Sequence, residues 1–425
     1  MTKLNLQWKT SECNKNSILF YYFPASTKKR IDEFKQRLSE TEFHKCYINI
    51  EIEPIDKVVC IKTKTFFDKQ KELSDNIYPI NAKNIIGVTG TNGKTTTVDI
   101  MRQLLVLKNK EVLSIGTLGV WKNDKKVEDF SLTTPNYIDI RKSLYRYKTE
   151  FALFEVSSHA LMQERFNGLK FDSSAWTSFS QDHLDFHGTM SEYFEAKLKI
   201  LDITKKNCFI SKEDMGLFDA VKNEKLKFIE PIENVNHNYF SISYNKKNLS
   251  LATSVLNDFN VGISKDDYHS LKETPGRFNI IKKGETTVII DFAHTPDALL
   301  NIGRELKKTY PSVITVMGCG GDRDREKRSL MAKACEEFSE KVFVTSDNPR
   351  TENPLQIIDD IVLGFKSKNY ECVEDRALAI KKAIEENHGK IILVAGKGHE
   401  KYIDQAGQKR YYSDEDEVKK VLNAL

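Results

Sequence analysis

Short apolar runs recur along this chain, and most of them end abruptly in a cluster of polar residues. Between them, apolar positions fall at helical spacing. From residue 84 to about 267, the runs 85–89, 152–156 and 174–179 read as buried strands. A second series begins near Thr274-Pro275-Gly276, with strands predicted over 287–290, 313–317, 341–345 and 391–394. Helical patterns lie between these strands, over 297–308, 330–338, 355–365 and 377–386. Strands alternating with helices predict α/β units with mostly parallel sheets. Residues 1 to about 80 carry a weaker pattern, with strands over 17–22 and 58–62 and a helix near 29–38. Pro79 and Asn81 mark its end. In open α/β sheets ligands bind at the carboxyl ends of strands, which is where the polar clusters of this chain fall.

The sharpest of these clusters is Gly90-Thr-Asn-Gly93-Lys94-Thr95-Thr96, between the 85–89 strand and a segment with apolar residues at Val98, Met101, Leu104 and Leu105. A strand, a glycine turn and a helix make the context of a phosphate-binding loop. Gly90 and Gly93 allow a tight turn whose N–H groups point inward, and the helix N-terminus adds partial positive charge. Lys94 is placed to reach the terminal phosphates of a nucleotide, and Thr95 to ligate Mg²⁺. The loop is a variant, because Val88 stands where the usual pattern begins with glycine.

Length and composition change this picture little. At 425 residues, two or three domains are expected. The net charge of +4 is spread over 65 basic and 61 acidic residues, so nothing points to nucleic acid or an anionic membrane as partner. Seven cysteines without a C-x-x-C pair read as free thiols of a reducing cytoplasm. The lack of a run of 18 apolar residues argues against a spanning segment.

Glu155-Val-Ser-Ser-His159 ends one strand, Asp182-His183-Leu-Asp-Phe-His187 follows another, and Tyr193-Phe-Glu-Ala-Lys197 reads as helical. Taken singly, Glu155 is a solvated strand end, His183 a loop histidine and Lys197 a surface lysine. Behind a phosphate loop, Glu155 and His183 together become candidate metal ligands.

These motifs occur in one order with Thr133-Thr134-Pro135, Pro275-Gly-Arg277-Phe, Asp291-Phe-Ala-His294, Gly318-Cys-Gly-Gly-Asp-Arg323, Asp347-Asn348-Pro349-Arg350 and Gly396-Lys-Gly-His-Glu400. From about residue 78 onward the chain resembles the Mur ligases of peptidoglycan synthesis, and among them the branch that adds diaminopimelate as third peptide residue. The resemblance implies an α/β protein of three domains. These are a small mixed α/β domain (1–80) for the UDP end, a central P-loop ATPase-type domain (81–273), and a C-terminal Rossmann-like domain (274–425) that receives the amino acid. It implies ATP and Mg²⁺ as cofactors, with UDP-N-acetylmuramoyl-L-alanyl-D-glutamate and meso-diaminopimelate as substrates. A cytoplasmic monomer is expected.

By the same resemblance Lys94, Glu155, His183 and Lys197 are catalytic. Thr95, Glu155, His183 and a carbamylated Lys197 serve Mg²⁺, and Arg277, Asp291 and His294 join the loop 90–96 at the nucleotide. Ser11 would meet the uridine end of the UDP-muramoyl dipeptide, and Thr133, Thr134, Ser157, Gln163 and Arg165 would hold its dipeptide part. Asp347, Asn348, Pro349, Arg350, Gly396 and Glu400 would hold diaminopimelate, with Arg350 gripping its distal carboxylate. Lys327 and Arg328 either face a phosphate or lie in a solvated loop. The chain departs from the family in having Ser178 and Asn279, where asparagine and glutamate are usual. Rival readings are a folylpolyglutamate- or cyanophycin-type ligase, and a silent nucleotide-binding scaffold.

Overall fold

The computed structural model describes residues 4–23, 27–130, 132–233, 235 and 237–425. Three sheets follow one another along the chain, and the loaded strand ends of the second and third share one cavity.

The first sheet has four parallel strands, Asn5–Gln7, Ser17–Tyr21, Lys45–Ile48 and Val58–Cys60, in chain order. Helix Lys28–Ser39 is started by Thr27, whose hydroxyl accepts from the Arg30 N–H. It buries Phe34 and Leu38, two residues four apart on one face, against the sheet. Helix Thr63–Ile77 brings Phe66 onto Phe20 with an edge-to-face ring contact. This unit is tied to the next: Trp8 Nε1 donates to Asp139 at 2.6 Å, and Arg141 Nη1 donates to Asp75 at 2.7 Å.

The second sheet has eight strands. Asn84–Thr89 lies at its middle between Phe151–Glu155 and Ser173–Trp176, parallel to both. Val112–Gly116 continues on one side, followed by the antiparallel pair Gly119–Lys122 and Lys125–Glu128. Cys208–Ser211 and Leu226–Ile229 complete the other side. The three neighbouring central strands are almost wholly buried, which explains the apolar runs of Asn84–Thr89 and Phe151–Glu155; Ser173–Trp176 is buried too, although it opens with two serines.

The third sheet runs Asn279–Lys283, Thr286–Asp291, Ile391–Ala395, Val313–Met317, Lys341–Val344, Tyr370–Cys372 in space. Its first pair is antiparallel and the rest parallel. Helices Pro296–Thr309, Glu326–Glu336, Pro354–Val362 and Arg376–Glu385 cover it. Thr295 caps the first of these by accepting from the Ala298 N–H, with proline at the first helical position. A hairpin, Tyr402–Gln405 with Gln408–Tyr411, and helix Asp414–Ala424 follow. One apolar core runs from Ile86 and Leu104 through Leu249 and Val255 of helix Ser243–Asn257 into Leu299 and Met317. The second and third sheets therefore pack through a shared interior. No described helix is long and apolar enough to cross a membrane.

Candidate active site

The strand Asn84–Thr89 ends in Gly90 (φ 140°), and Gly93 (φ 89°) precedes helix Lys94–Leu107. Val88 lies wholly inside the strand, paired with Glu155 and Ala175, so the turn starts at Gly90 and needs no glycine at 88. A Cβ on Gly90 would stand 2.0 Å from Thr177 Oγ1, and one on Gly93 2.5 Å from Asn248 Oδ1. The loop is held by the continuation of its neighbour strand. Thr91 N–H donates to the Ser178 carbonyl at 2.9 Å, and Asn92 N–H to the Ser178 hydroxyl at 2.9 Å. The unusual Ser178 therefore fastens the loop directly.

Lys94 Nζ donates to the carbonyls of Gly90 (2.9 Å) and Thr91 (2.8 Å). Burial pushes its pKa down, against the pull of Glu155 and Asp182. The Thr95 hydroxyl donates to Glu155 Oε2 at 2.8 Å and accepts from Arg277 Nη2 at 3.1 Å. Glu155 is 2% exposed and also accepts from the Thr117 N–H (2.7 Å) and hydroxyl (3.0 Å). Gly116 makes room for it, since a Cβ there would lie 2.1 Å from Oε1. Arg277 stacks over Phe292, 4.3 Å from the ring centre. Asp291 accepts from the N–H groups of Phe278 and Ala293, both at 2.7 Å, and burial raises its pKa against the charge of Arg277.

His183 sits in a left-handed turn (φ 57°) beside Asp182, with Nε2 3.3 Å from Oδ2. Burial holds its pKa at about 3, so the imidazole is neutral and carries a lone pair at neutral pH. Asp182 also faces Lys327 at 3.3 Å and His294 at 3.9 Å. Burial pushes its carboxyl up, but the neighbouring positive charge, that of the Lys327 ammonium foremost, outweighs this and holds it below the usual range. His294, whose Nδ1 lies 2.8 Å from the Phe292 carbonyl, is held down at about 4, chiefly by burial. Lys197, on helix Met190–Leu198, is 1% exposed; its Nζ donates to the Gly90 carbonyl at 2.7 Å over the Tyr193 ring. Burial, then the charge of Lys94, pushes its pKa well below the ordinary value.

A second network continues from Glu155. Thr134 Oγ1 donates to the Glu155 carbonyl (2.7 Å) and lies 3.2 Å from Ser157 Oγ. Arg165 donates to the Thr134 carbonyl (2.5 Å) and to Gln163 Oε1 (2.6 Å), and the Thr133 and Thr117 hydroxyls lie 3.2 Å apart. Thr133, Thr134, Ser157, Gln163 and Arg165 are thus one connected group. Ser11 is not among them; it is exposed in a short 3₁₀ turn of the first unit and does not line the cavity described next.

A cavity of about 1140 Å³ opens between the second and third sheets. Lys94, Thr95, Glu155, His183, Arg277 and His294 line one part of it, and Asp347, Asn348, Arg350, Gly396 and Glu400 another. In the second part Lys397, wholly buried, joins three groups: Asp347 Oδ1 at 3.2 Å, Asn348 Oδ1 at 3.1 Å and Glu400 Oε2 at 3.3 Å. Asn348 Nδ2 donates to Glu400 Oε2 at 2.9 Å. Arg350 Nη1 donates to the Gly321 carbonyl at 2.5 Å, and Pro349 is buried.

Among the described residues no three His, Cys, Asp or Glu side chains converge as a metal site. Thr95, Glu155, His183 and Lys197 include only two such side chains. Yet the hydroxyl and carboxylate at 2.8 Å are hard oxygen donors of the kind Mg²⁺ takes, so the donor set fits that ion.

Two family models match the chain, Mur ligase middle domain over residues 88–281 and Mur ligase, glutamate ligase domain over 276–398. The UDP-N-acetylmuramoyl-L-alanyl-D-glutamate–2,6-diaminopimelate ligase of Fusobacterium nucleatum is 39% identical over 81% of this chain and 79% of its own length. The chain belongs to the Mur ligase family. A solved UDP-N-acetylmuramoyl-L-alanyl-D-glutamate–2,6-diaminopimelate ligase is 26% identical, with a TM-score of 0.62 over 99% of this chain and 94% of that one. MurF ligase from Thermotoga maritima, solved in complex with ADP, is 16% identical and shares the fold, with a TM-score of 0.65 over 99% and 97%.

Within this Mur ligase fold, the two alternatives for residues 327 and 328 both need correction for Arg328. It is neither phosphate-facing nor solvated. It lies fully buried on helix Glu326–Glu336 and binds Glu352 and Asp360, both at 2.8 Å. Lys327 does line the cavity, on the same helix and paired with Asp182. Sequence reasoning missed Thr117, Asp182 and Lys397 as site-organising residues. Lys397 stood inside a quoted motif, and an unassigned lysine between two glycines was the available signal.

Proposed function

We propose that this chain is an ATP-dependent amide ligase that joins meso-diaminopimelate to the γ-carboxylate of UDP-N-acetylmuramoyl-L-alanyl-D-glutamate, in peptidoglycan precursor synthesis. The observation that carries this reading is the meeting in one cavity of the phosphate loop with Glu155 and with the Asp347–Arg350 and Gly396–Glu400 groups. In this reading residues 1–80 hold the UDP end with Ser11, 81–273 the nucleotide, and 274–425 the amino acid. The protein works as a cytoplasmic monomer, with no nucleic acid or membrane partner.

The carboxylate of the dipeptide is a poor electrophile and must be activated. It attacks the γ-phosphorus of ATP, ADP leaves, and an acyl phosphate forms. The amine of diaminopimelate then attacks the acyl carbon, loses a proton, and expels phosphate to give the amide. Two anions meet in the first step, so fixed cations have to offset their repulsion. The N–H groups of the loop 90–96 and Lys94 take the phosphate oxygens, while Arg277, Asp291 and His294 flank the nucleotide. Thr95, Glu155, His183 and a carbamylated Lys197 would hold Mg²⁺, which supplies Lewis-acid charge to the phosphoryl oxygens when bound. Thr133, Thr134, Ser157, Gln163 and Arg165 orient the dipeptide with hydroxyl, amide and guanidinium groups.

Arg350 takes the distal carboxylate of diaminopimelate, and Glu400 with the Gly396 carbonyl meets the adjacent ammonium. L-lysine lacks that carboxylate and would leave the arginine unpaired, so the preference for diaminopimelate should reach roughly 10³–10⁵ in kcat/KM. The test is phosphate release with each amino acid, with and without the muramoyl dipeptide. Release without the dipeptide, equal use of lysine, or a preference untouched by Arg350→Ala would overturn the assignment.

A further inference from the structure

The 402–411 hairpin belongs to none of the recognised motifs, yet it grips the backbone of Arg350. The Arg350 N–H donates to the Asp404 carbonyl at 2.9 Å, and the Arg350 carbonyl accepts from the Ala406 N–H at 2.6 Å. Both main-chain groups of the arginine are thus taken by one strand end, as a parallel bridge between Arg350 and Gln405. The Asp404 N–H in turn donates to Asn348 Oδ1 at 2.9 Å, the same oxygen that accepts from Lys397. The Asp404 peptide is therefore pinned between Asn348 and Arg350.

Arg350 needs this grip because its φ is 50°. A left-handed backbone is unfavourable for arginine and persists only where the surroundings over-determine it. The far end of the side chain is fixed as well. Nη1 donates to the Gly321 carbonyl, and a Cβ on Gly320 would stand 2.8 Å from Nη1. The hairpin itself is well specified. Tyr402 pairs with Tyr411 and Asp404 with Lys409, Ile403 is 5% exposed, and the turn is Ala406 (φ 52°) and Gly407 (φ 78°), two left-handed residues that match strand twist. Tyr402, Asp404 and Lys409 face the cavity, and the Tyr402 hydroxyl lies 3.5 Å from Glu400 Oε1.

We propose that this hairpin is a specificity-determining element: by clamping the Arg350 main chain it fixes where the guanidinium meets the distal carboxylate of the incoming amino acid. The inference rests on the role given above to Arg350. Released from the hairpin, the arginine relaxes to a right-handed backbone and its side chain leaves the position that distinguishes a diamino diacid from a diamino monoacid.

Two variants test this. In one, residues 403–410 are replaced by Asn-Gly, closing the chain on the paired Tyr402 and Tyr411. In the other, Ala406→Val puts a β-branched residue at a left-handed, exposed turn position, with Gln408→Thr, a β-branched residue on the exposed strand of the same hairpin, as the control that keeps wild-type values. Each is assayed for kcat and KM with meso-diaminopimelate and with L-lysine. Acyl phosphate formation without amino acid is measured by hydroxylamine trapping. The expected result is a KM for diaminopimelate raised about ten- to a hundredfold and a matching fall in the preference over lysine, with trapping within twofold of wild type. An unchanged preference in both variants, or trapping lost in step with ligation in both, would overturn the inference. A wild-type enzyme that itself uses lysine equally would instead overturn the role of Arg350.

Discussion

Lys197 is not a conventional surface lysine: its Nζ is buried against the Gly90 carbonyl and the Tyr193 ring, with Lys94 nearby. Burial and like charge both favour the neutral form, and a neutral amine is the form that adds CO₂, giving a carbamate and a proton. The product is an anion, which relieves the repulsion that Lys94 imposes. Lys197→Ala should therefore be nearly inactive and regain part of its activity with short carboxylic acids; full activity without them would remove the residue from catalysis. Lys94 acts differently. Its charge already bonds to the loop carbonyls of Gly90 and Thr91, so it stands where triphosphate oxygens are expected. Lys94→Ala should lower kcat by about 10²–10³, and a change confined to the KM for the amino acid would contradict its role at the phosphates.

At the scale of elements, glycine decides how closely the phosphate loop can approach its neighbours. Gly90→Ala would drive a methyl into Thr177 and the Ser178 backbone, and the loop carbonyl that receives both Lys94 and Lys197 would shift. The expected outcome is a KM for ATP raised at least tenfold, because a misplacement of about 1 Å can cost as much as 10² in rate. Unchanged nucleotide titrations would show that the loop tolerates the shift. Such a loop is legible in sequence because its cause is local. The same holds for Val313–Met317 and for helix Pro296–Thr309, where apolar period, cap and proline agree. The pair Gly119–Lys122 and Lys125–Glu128 has no such signature. It is half exposed and forms by pairing onto Val112–Gly116. Helix Ser243–Asn257 mixes buried Asn245 and Asn248 with its leucines, which blurs the apolar face. In the site, motif residues at strand ends were legible, whereas Thr117 and Lys397 act through partners that only the fold brings near. Arg328 was misread because a basic, loop-like run hides a helix whose face is buried by two carboxylates.

At the scale of the molecule, the chain passes from the second sheet to the third through residues 274–277, and the two sides of that passage are tied to different bodies. Thr274 Oγ1 donates to Asp99 on helix Lys94–Leu107, and Lys272 and Gln103 exchange two hydrogen bonds, so the upstream side belongs to the nucleotide unit. Downstream, the Gly276 carbonyl accepts from the Phe292 N–H, and a Cβ at Gly276 would lie 2.1 Å from the His399 nitrogen. Pro275 is exposed between them, and a turn of one unit against the other is expected here. Three contacts close the cavity across that hinge: Lys327 to Asp182 at 3.3 Å, Arg277 to Thr95 at 3.1 Å, and Asn92 to Asp297 at 3.3 Å. The first joins two charges less than a tenth exposed, so salt screens it weakly and its loss leaves a buried carboxylate without its lysine. Spin labels placed on the second and third sheets should accordingly show a distance distribution that narrows and shortens when ATP and the muramoyl dipeptide are added together. In Lys327→Ala the same ligands should leave it broad. Gly276→Ala should bind ATP but turn over at least tenfold more slowly, since a left-handed non-glycine residue costs about 1–3 kcal/mol before the clash with His399 is counted. Identical distributions with and without ligands, together with normal turnover in Gly276→Ala, would locate the motion elsewhere than at residues 274–277.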